Sequence, residues 1–310
     1  MVELRDCRVT IVGLGLMGGS LALALRPHVA GLAAVETSPA GFALARSLDI
    51  VDVVHSDLAA GVAGADLVVL ATPVRTILAL LEQLPHARPG GCLVLDLGST
   101  KQAVCRAMAA LPAGFRAIGG HPMCGKESAG LAAATADLYQ GQTFVLCPPQ
   151  DQPDPAWAVL AEALVTQIGS RPVWLPPDSH DQLVALTSHL PYVAAALLMQ
   201  QAAQAASGNG HVWPVSASGF RDTARLAGSD PAMLRDILLT NRAAVLARLQ
   251  QYQTGLAQFI QLLDSADEAA LYQWLAARQA EHDLYRQAKL EPPALPTTGE
   301  DDVYANYGSG

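Results

Sequence analysis

His121 stands between two glycines and a proline, directly after the apolar run 115–119, in the segment Gly119-Gly-His-Pro-Met-Cys-Gly-Lys-Glu-Ser-Ala-Gly. An imidazole has an unperturbed pKa of about 6.5, so one held at a strand end is suited to take a proton from a reacting hydroxyl. A second histidine, His189, lies in Thr187-Ser-His-Leu-Pro-Tyr. A third stretch, Ser218-Gly-Phe-Arg-Asp-Thr-Ala-Arg, puts Arg221 and Arg225 one helical turn apart. Singly, each has an ordinary structural reading: a histidine satisfying a local hydrogen bond, or arginines pairing with Asp222 on a helix surface. No group of His, Cys, Asp and Glu has metal-ligand spacing, so no metal is expected.

The second chemistry-bearing feature is G-x-G-x-x-G at Gly13, Gly15 and Gly18, placed after an apolar run and at the head of an apolar helical pattern. In that context Gly13 permits a tight turn, Gly15 lets the backbone approach a pyrophosphate and Gly18 lets helix and strand pack, while Leu16 and Met17 open the helix. Glu36, 21 residues after Gly15, ends the next strand, where its carboxylate would accept from the adenosine ribose hydroxyls. A 2′-phosphate would meet like charge there, so NAD is expected rather than NADP. Ala71-Thr72-Pro73 and Asp96-Leu-Gly-Ser99-Thr-Lys101 follow later strands and should face the same crevice, which adds Thr72, Pro73 and Ser99 to the expected cofactor contacts.

Positioning these residues requires a sheet. Runs 8–12, 32–36, 66–71, 92–96, 115–119 and 143–147 alternate with helical patterns, which predicts a parallel, doubly wound α/β domain of Rossmann type. A proline-rich connection near 148–155 precedes a helix at 156–169 and a short strand at 171–175. Strand signals then fade, and an all-α domain is expected, with helices over 179–206, bent at Pro191, and over 216–226, 231–263 and 266–290. In the third, Leu238, Val245, Leu249, Leu256 and Ile260 recur at helical spacing, first as core and second as a dimer interface. The expected division is 1–176, 177–290 and an acidic, flexible tail at 291–310.

A chain of 310 residues, 51% hydrophobic and 15% charged, holds more than one compact core usually needs. Its formal charge of −9 argues against nucleic acid or an anionic membrane surface as partner. The charge is uneven: 1–150 carry 10 basic and 11 acidic side chains, and 151–310 carry 9 and 17. The segment 219–248 nevertheless has five arginines against three aspartates, so a cationic pocket is compatible with an acidic whole. The apolar stretches 9–25 and 182–220 are interrupted by glycines or polar residues before reaching bilayer length. Five scattered cysteines suggest reduced thiols and a cytoplasmic location.

Together and in order, G-L-G-L-M-G-G-S, D-L-G-S-T-K, G-G-H-P-M-C-G-K-E-S-A-G, S-H-L-P and G-F-R-D-T-A-R-L-A-G-S-D-P resemble the prephenate/arogenate (cyclohexadienyl) dehydrogenase family of tyrosine biosynthesis, over about residues 8–290. The resemblance implies NAD-dependent oxidative decarboxylation of prephenate to 4-hydroxyphenylpyruvate, arogenate to tyrosine, or both, by a homodimer joined through its helical domain. It also implies that His121 contacts the ring hydroxyl being oxidised and that Ser99 orients that histidine. His189 and Arg225 would hold substrate carboxylates, with Lys126, Glu127, Ser218 and Gly219 around them. Cys124 and Lys126 depart from the family's usual H-P-x-x-G-T-E, and Leu234 stands where many members have Trp. The short remainder after the helical domain leaves no room for a regulatory module. Two rival readings remain open. A 3-hydroxyacid-type dehydrogenase would lean on a helical-domain lysine, yet none occurs between Lys126 and Lys289. A non-catalytic NAD sensor would have no need of His121, Ser99 and Arg225.

Overall fold

The computed structural model describes residues 3–126, 128–149 and 154–290. Glu127, part of the proline-rich connection and the 291–310 tail, all subjects of sequence expectations, lie outside the described residues. The chain groups into two compact units, Met1–Val245 and Leu246–Gly310.

Among the described residues of the first unit, eight strands form one sheet: β1 (Arg8–Val12), β2 (Gly31–Val35), β3 (Val53–His55), β4 (Leu67–Leu70), β5 (Leu93–Asp96), β6 (Arg116–Pro122), β7 (Thr143–Cys147) and β8 (Arg171–Trp174). Their order is β3-β2-β1-β4-β5-β6-β7-β8. The central strands are apolar and buried on both faces, as a sheet covered by helices requires. The covering helices are α1 (Leu16–Leu25), α2 (Pro39–Leu48), α3 (Leu58–Val62), α4 (Val74–Ala87), α5 (Gln102–Ala109) and α6 (Pro155–Gln167). One core cluster on one face includes Ile11, Leu21, Leu67, Phe144 and Trp157; the other includes Val68, Ile77, Leu84 and Val104.

The α/β expectation holds, with one departure that matters for the site. Strand β6 is longer than expected and changes partners along its length. Residues 116–118 pair in parallel with β5, and 119–122 pair antiparallel with β7. Among the described residues between β6 and β7 there is a 3-10 turn, Leu131–Ala133, and no crossover helix, and β7 returns antiparallel to β6. His121 therefore lies within the strand, opposite Val145, rather than beyond its end. The short strand β3 carries too few residues to stand out in the sequence.

After β8 the unit is helical: α7 (Pro177–Val184), a π-helical turn (Ala185–His189), α8 (Leu190–Gly208), α9 (Val212–Val215), α10 (Ser218–Ala224), a 3-10 turn (Arg225–Gly228) and α11 (Pro231–Thr240). Where a bend at Pro191 is expected, the helical run passes through a π turn just before it. Pro191 cannot donate to the carbonyl four residues back, and the widened register absorbs the loss. By length and composition the continuous run Pro177–Gly208 could cross a bilayer. Its buried positions, however, include His180, Asp181 and His189.

The long helix expected over 231–263 is two helices, α11 and α12 (Arg242–Asp264), because Asn241 leaves the helical path. Its extended stripe divides accordingly: Val245 is core, whereas Leu256 and Ile260 are 51% and 58% exposed. In the second unit α13 (Glu268–Leu290) starts behind Asp267, which accepts from the Ala270 N–H at 2.9 Å, not behind Asp264 or Ser265. Phe259 and Trp274 meet with ring centroids 4.8 Å apart, and Arg278 lies over the Trp274 ring.

Candidate active site

The glycine-rich turn joins β1 to α1. Gly13 has φ +97°, and a Cβ there would lie 2.7 Å from Thr72 Cγ2; a Cβ on Gly18 would lie 1.9 Å from the Gly13 oxygen. At Gly15, the cap of α1, a Cβ would meet nothing within 4 Å. The first and third glycines are thus demanded by the fold, while the second leaves bare backbone facing open space at a helix N-terminus, where a pyrophosphate fits. Glu36 follows β2, and its carboxylate accepts from the Leu14 N–H (3.1 Å) and the Ser38 N–H (2.8 Å). It braces the turn and retains acceptor capacity for ribose hydroxyls. Thr72 lies over Gly13 with its hydroxyl buried and unpartnered among the described residues, and Pro73 caps α4. The set suits a dinucleotide.

The G-G-S end of the motif has contacts of its own. A Cβ on Gly19 would strike Leu131 at 2.4 Å, the Ser20 hydroxyl accepts from the Thr135 N–H at 3.0 Å, and the Tyr139 hydroxyl donates to the Met17 oxygen at 2.7 Å. These contacts fasten the loop after β6 onto α1. That loop carries a cavity of about 460 Å³ lined by Met123, Cys124, Lys126 and Asp137 among others. The Lys126 ammonium donates to the Thr135 hydroxyl at 2.8 Å and is exposed.

At the carboxyl end of β5, Asp96 and Lys101 form a fully buried ion pair. Asp96 also accepts from the Gly98 N–H (2.7 Å) and the Gly120 N–H (3.0 Å), so one carboxylate shapes the D-L-G-S-T-K loop and holds β6 beside His121. Ser99 is half-buried on that loop.

His121 is the centre of a chain of groups that the sequence did not announce. Its Nδ1 lies 2.7 Å from Nε2 of His180, and Nδ1 of His180 lies 2.8 Å from Asp181 Oδ1. Among the described residues the ring is oriented by His180, and no hydrogen bond from Ser99 is found. Asp181 also accepts from the Lys101 N–H (2.7 Å) and the Gln102 N–H (2.9 Å), capping α5. Burial, with His180, Lys101 and His189 adding to it, holds the His121 ring well below the usual histidine range, so it is neutral near pH 7.

His189 ends the π turn and is 2% exposed. Burial chiefly, opposed by Asp181 and aided by His180, lowers its pKa to about 4. Its Nδ1 lies 3.3 Å from the Asn241 amide nitrogen, which also donates to the Asp181 backbone oxygen at 2.7 Å. Asn241 is thus the reason the long helix breaks. The structure gathers His121, His180, Asp181, His189 and Asn241; Arg225 is exposed on the 3-10 turn after α10, and Ser218 and Gly219 open α10. The only sequence trace of the missed residues was a His-Asp pair opening the helical pattern before S-H-L-P.

The chain matches two family models: prephenate dehydrogenase, nucleotide-binding domain, over residues 21–173, and prephenate dehydrogenase, dimerization domain, over residues 176–277. It is 33% identical over 278 residues to prephenate dehydrogenase of Bacillus subtilis, covering 88% of this chain and 74% of that one. Among solved structures it is similar to arogenate dehydrogenase of Synechocystis, with TM-score 0.77, 31% identity and coverage of 90% and 99% of the two chains. It is also similar to prephenate dehydrogenase of Aquifex aeolicus in complex with hydroxyphenyl propionate and NAD+, with TM-score 0.81, 26% identity and coverage of 92% and 99%.

Proposed function

The chain belongs to the prephenate dehydrogenase family, and from that footing we propose that it oxidises and decarboxylates prephenate, arogenate or both, with NAD as electron acceptor. The observation that carries this reading is a neutral histidine on the sheet edge that bears the glycine turn, with one ring nitrogen already engaged. Gly13, Gly15, Leu16, Met17, Gly18, Glu36, Thr72, Pro73 and Ser99 would hold NAD, which when bound would supply the two-electron acceptor for oxidation at the ring carbon.

The protein's own part is to bind, orient and move one proton. His121 takes the proton of the ring hydroxyl on Nε2, Nδ1 being occupied by His180. Loss of the ring carboxylate as carbon dioxide then follows from aromatisation and needs no further base. His189 and Arg225 would hold the substrate's carboxylates, with Lys126, Ser218 and Gly219 around them. Glu36, which would stand beside the adenosine ribose, favours NAD over NADP because a 2′-phosphate there would meet like charge.

We further infer a homodimer, since Leu256, Ile260, Leu263 and Tyr272 leave apolar surface exposed on α12 and α13 that a second copy would cover. The cofactor part is taken as 1–176 and the helical part as 177–290. A cytoplasmic location suits five cysteines that are all free thiols.

The test is a nicotinamide absorbance assay with each substrate and with NAD and NADP in turn. Reduction of NAD with prephenate, arogenate or both is expected, and absence of turnover with both would return the protein to a non-catalytic, NAD-sensing role.

A further inference from the structure

Asp181 presents two different groups to the two site histidines. Its carboxylate receives three hydrogen bonds, from the Lys101 N–H, the Gln102 N–H and His180 Nδ1. A carboxylate is an acceptor only, so His180 carries a proton on Nδ1; taken with that single proton, it offers a lone pair at Nε2. That lone pair lies 2.7 Å from His121 Nδ1. His121 must therefore carry its proton on Nδ1 and leave Nε2 bare.

On the other side, the Asp181 backbone oxygen can only accept. It fixes the Asn241 amide with its nitrogen inward, and the remaining N–H of that nitrogen points to His189 Nδ1. His189 Nδ1 is then an acceptor, and its proton sits on Nε2. The two histidines, chemically identical in the sequence, are forced into opposite tautomers by one residue.

We propose that Asp181, acting through His180 and Asn241, sets the proton positions on both histidines: a bare Nε2 on His121 to receive the hydroxyl proton, and a protonated Nε2 on His189 to donate to a substrate oxygen. His180, Asp181 and Asn241 act through the two histidines and are positioning residues. The assignment of what each Nε2 meets rests on the dehydrogenase reading above; the proton positions themselves do not.

The test uses enzyme labelled with 15N in its histidines. Long-range proton–nitrogen correlation spectra distinguish a protonated from a bare ring nitrogen, and His121→Gln and His189→Gln variants assign the signals. The expected wild-type spectrum has His121 protonated on Nδ1 and His189 on Nε2. The reverse tautomer at either ring, or a doubly protonated His180 at neutral pH, overturns the proposal whether or not the enzyme turns over.

In kinetics, His180→Leu removes the acceptor and should lower kcat about 10²- to 10⁴-fold with NAD affinity unchanged. His180→Gln, whose carboxamide oxygen can accept from His121 Nδ1, should restore part of that loss. Asn241→Leu should raise KM more than it lowers kcat. Equal losses in His180→Leu and His180→Gln, with the His121 tautomer unmoved, would make the contact merely structural. Absence of turnover in wild type, with the expected spectrum, would sink the functional reading and leave the proton assignment standing.

Discussion

Lys101 and Asp96 face each other with both side chains wholly removed from water, and the carboxylate also accepts two backbone N–H groups. The pair is the joint between the loop after β5 and the strand that carries His121. Removing one partner leaves an uncompensated buried charge, so Lys101→Met should cost about 3–5 kcal/mol. Chemical denaturation measures it. The double variant Asp96→Asn/Lys101→Met should recover part of the loss, since no charge is then stranded, and failure to recover any would mean that geometry rather than charge is at stake.

The three glycines of the turn should separate cleanly. Gly18→Ala forces a methyl to within 1.9 Å of the Gly13 oxygen and should lower thermal stability with or without cofactor. Gly15→Ala meets no protein atom within 4 Å and should leave the melting temperature of the apoenzyme unchanged while weakening NAD binding at least tenfold. Calorimetry and NAD titration on the two variants give the comparison; normal NAD affinity in Gly15→Ala would move the pyrophosphate elsewhere.

Replacing His121 with Ala should keep NAD affinity and reduce turnover by about 10²–10⁴-fold. Arg225→Ala should instead act mainly on KM for the substrate. Steady-state kinetics on both variants, alongside fluorescence titration with NADH, would expose an exchange of these roles.

Both site histidines are neutral when buried, which ties stability to pH. His189 is held at about 4 against an ordinary 6.5, so between those values the unfolded chain takes up a proton that the folded chain refuses. Its contribution is complete above pH 6.5 and is lost as pH falls toward 4, by about 3 kcal/mol in all. His121, lowered by burial as well, adds in the same direction. Urea midpoints should fall steadily on acidification, and the slope should lessen in His189→Gln. A slope unchanged by that substitution would place the proton uptake on other groups.

The fold was legible wherever a residue type had one use. Gly13 and Gly18, with Glu36 after the next apolar run, point to a dinucleotide turn because a tight turn, a close helix–strand contact and a ribose acceptor call for those residue types at that spacing. His121 was legible from its Gly-Gly-His-Pro setting. Asn241 was not: in a helical pattern of apolar residues an asparagine reads as one more polar position, and only the fold shows it turned inward to Asp181 and His189. His180 and Asp181 were hidden for the same reason, since their partners lie 59 and 80 residues away along the chain. The partner change along β6 was readable only as the missing helix between 122 and 143. The π turn compensates for a proline whose position was plain but whose remedy was not.

The cap on α5 has a mechanical side. Asp181 belongs to α7, whereas the N–H groups it receives belong to the loop and helix after β5, and Thr100 and Thr240 add a hydroxyl contact at 2.8 Å between the same two regions. Swinging the helices away from the sheet would strip a helix end of its acceptor and break the His121–His180 contact in one movement. Those contacts brace α7 and α11 against the end of the sheet. The bonds that hold these helices against the sheet are thus the same ones that keep the His121–His180 contact in register.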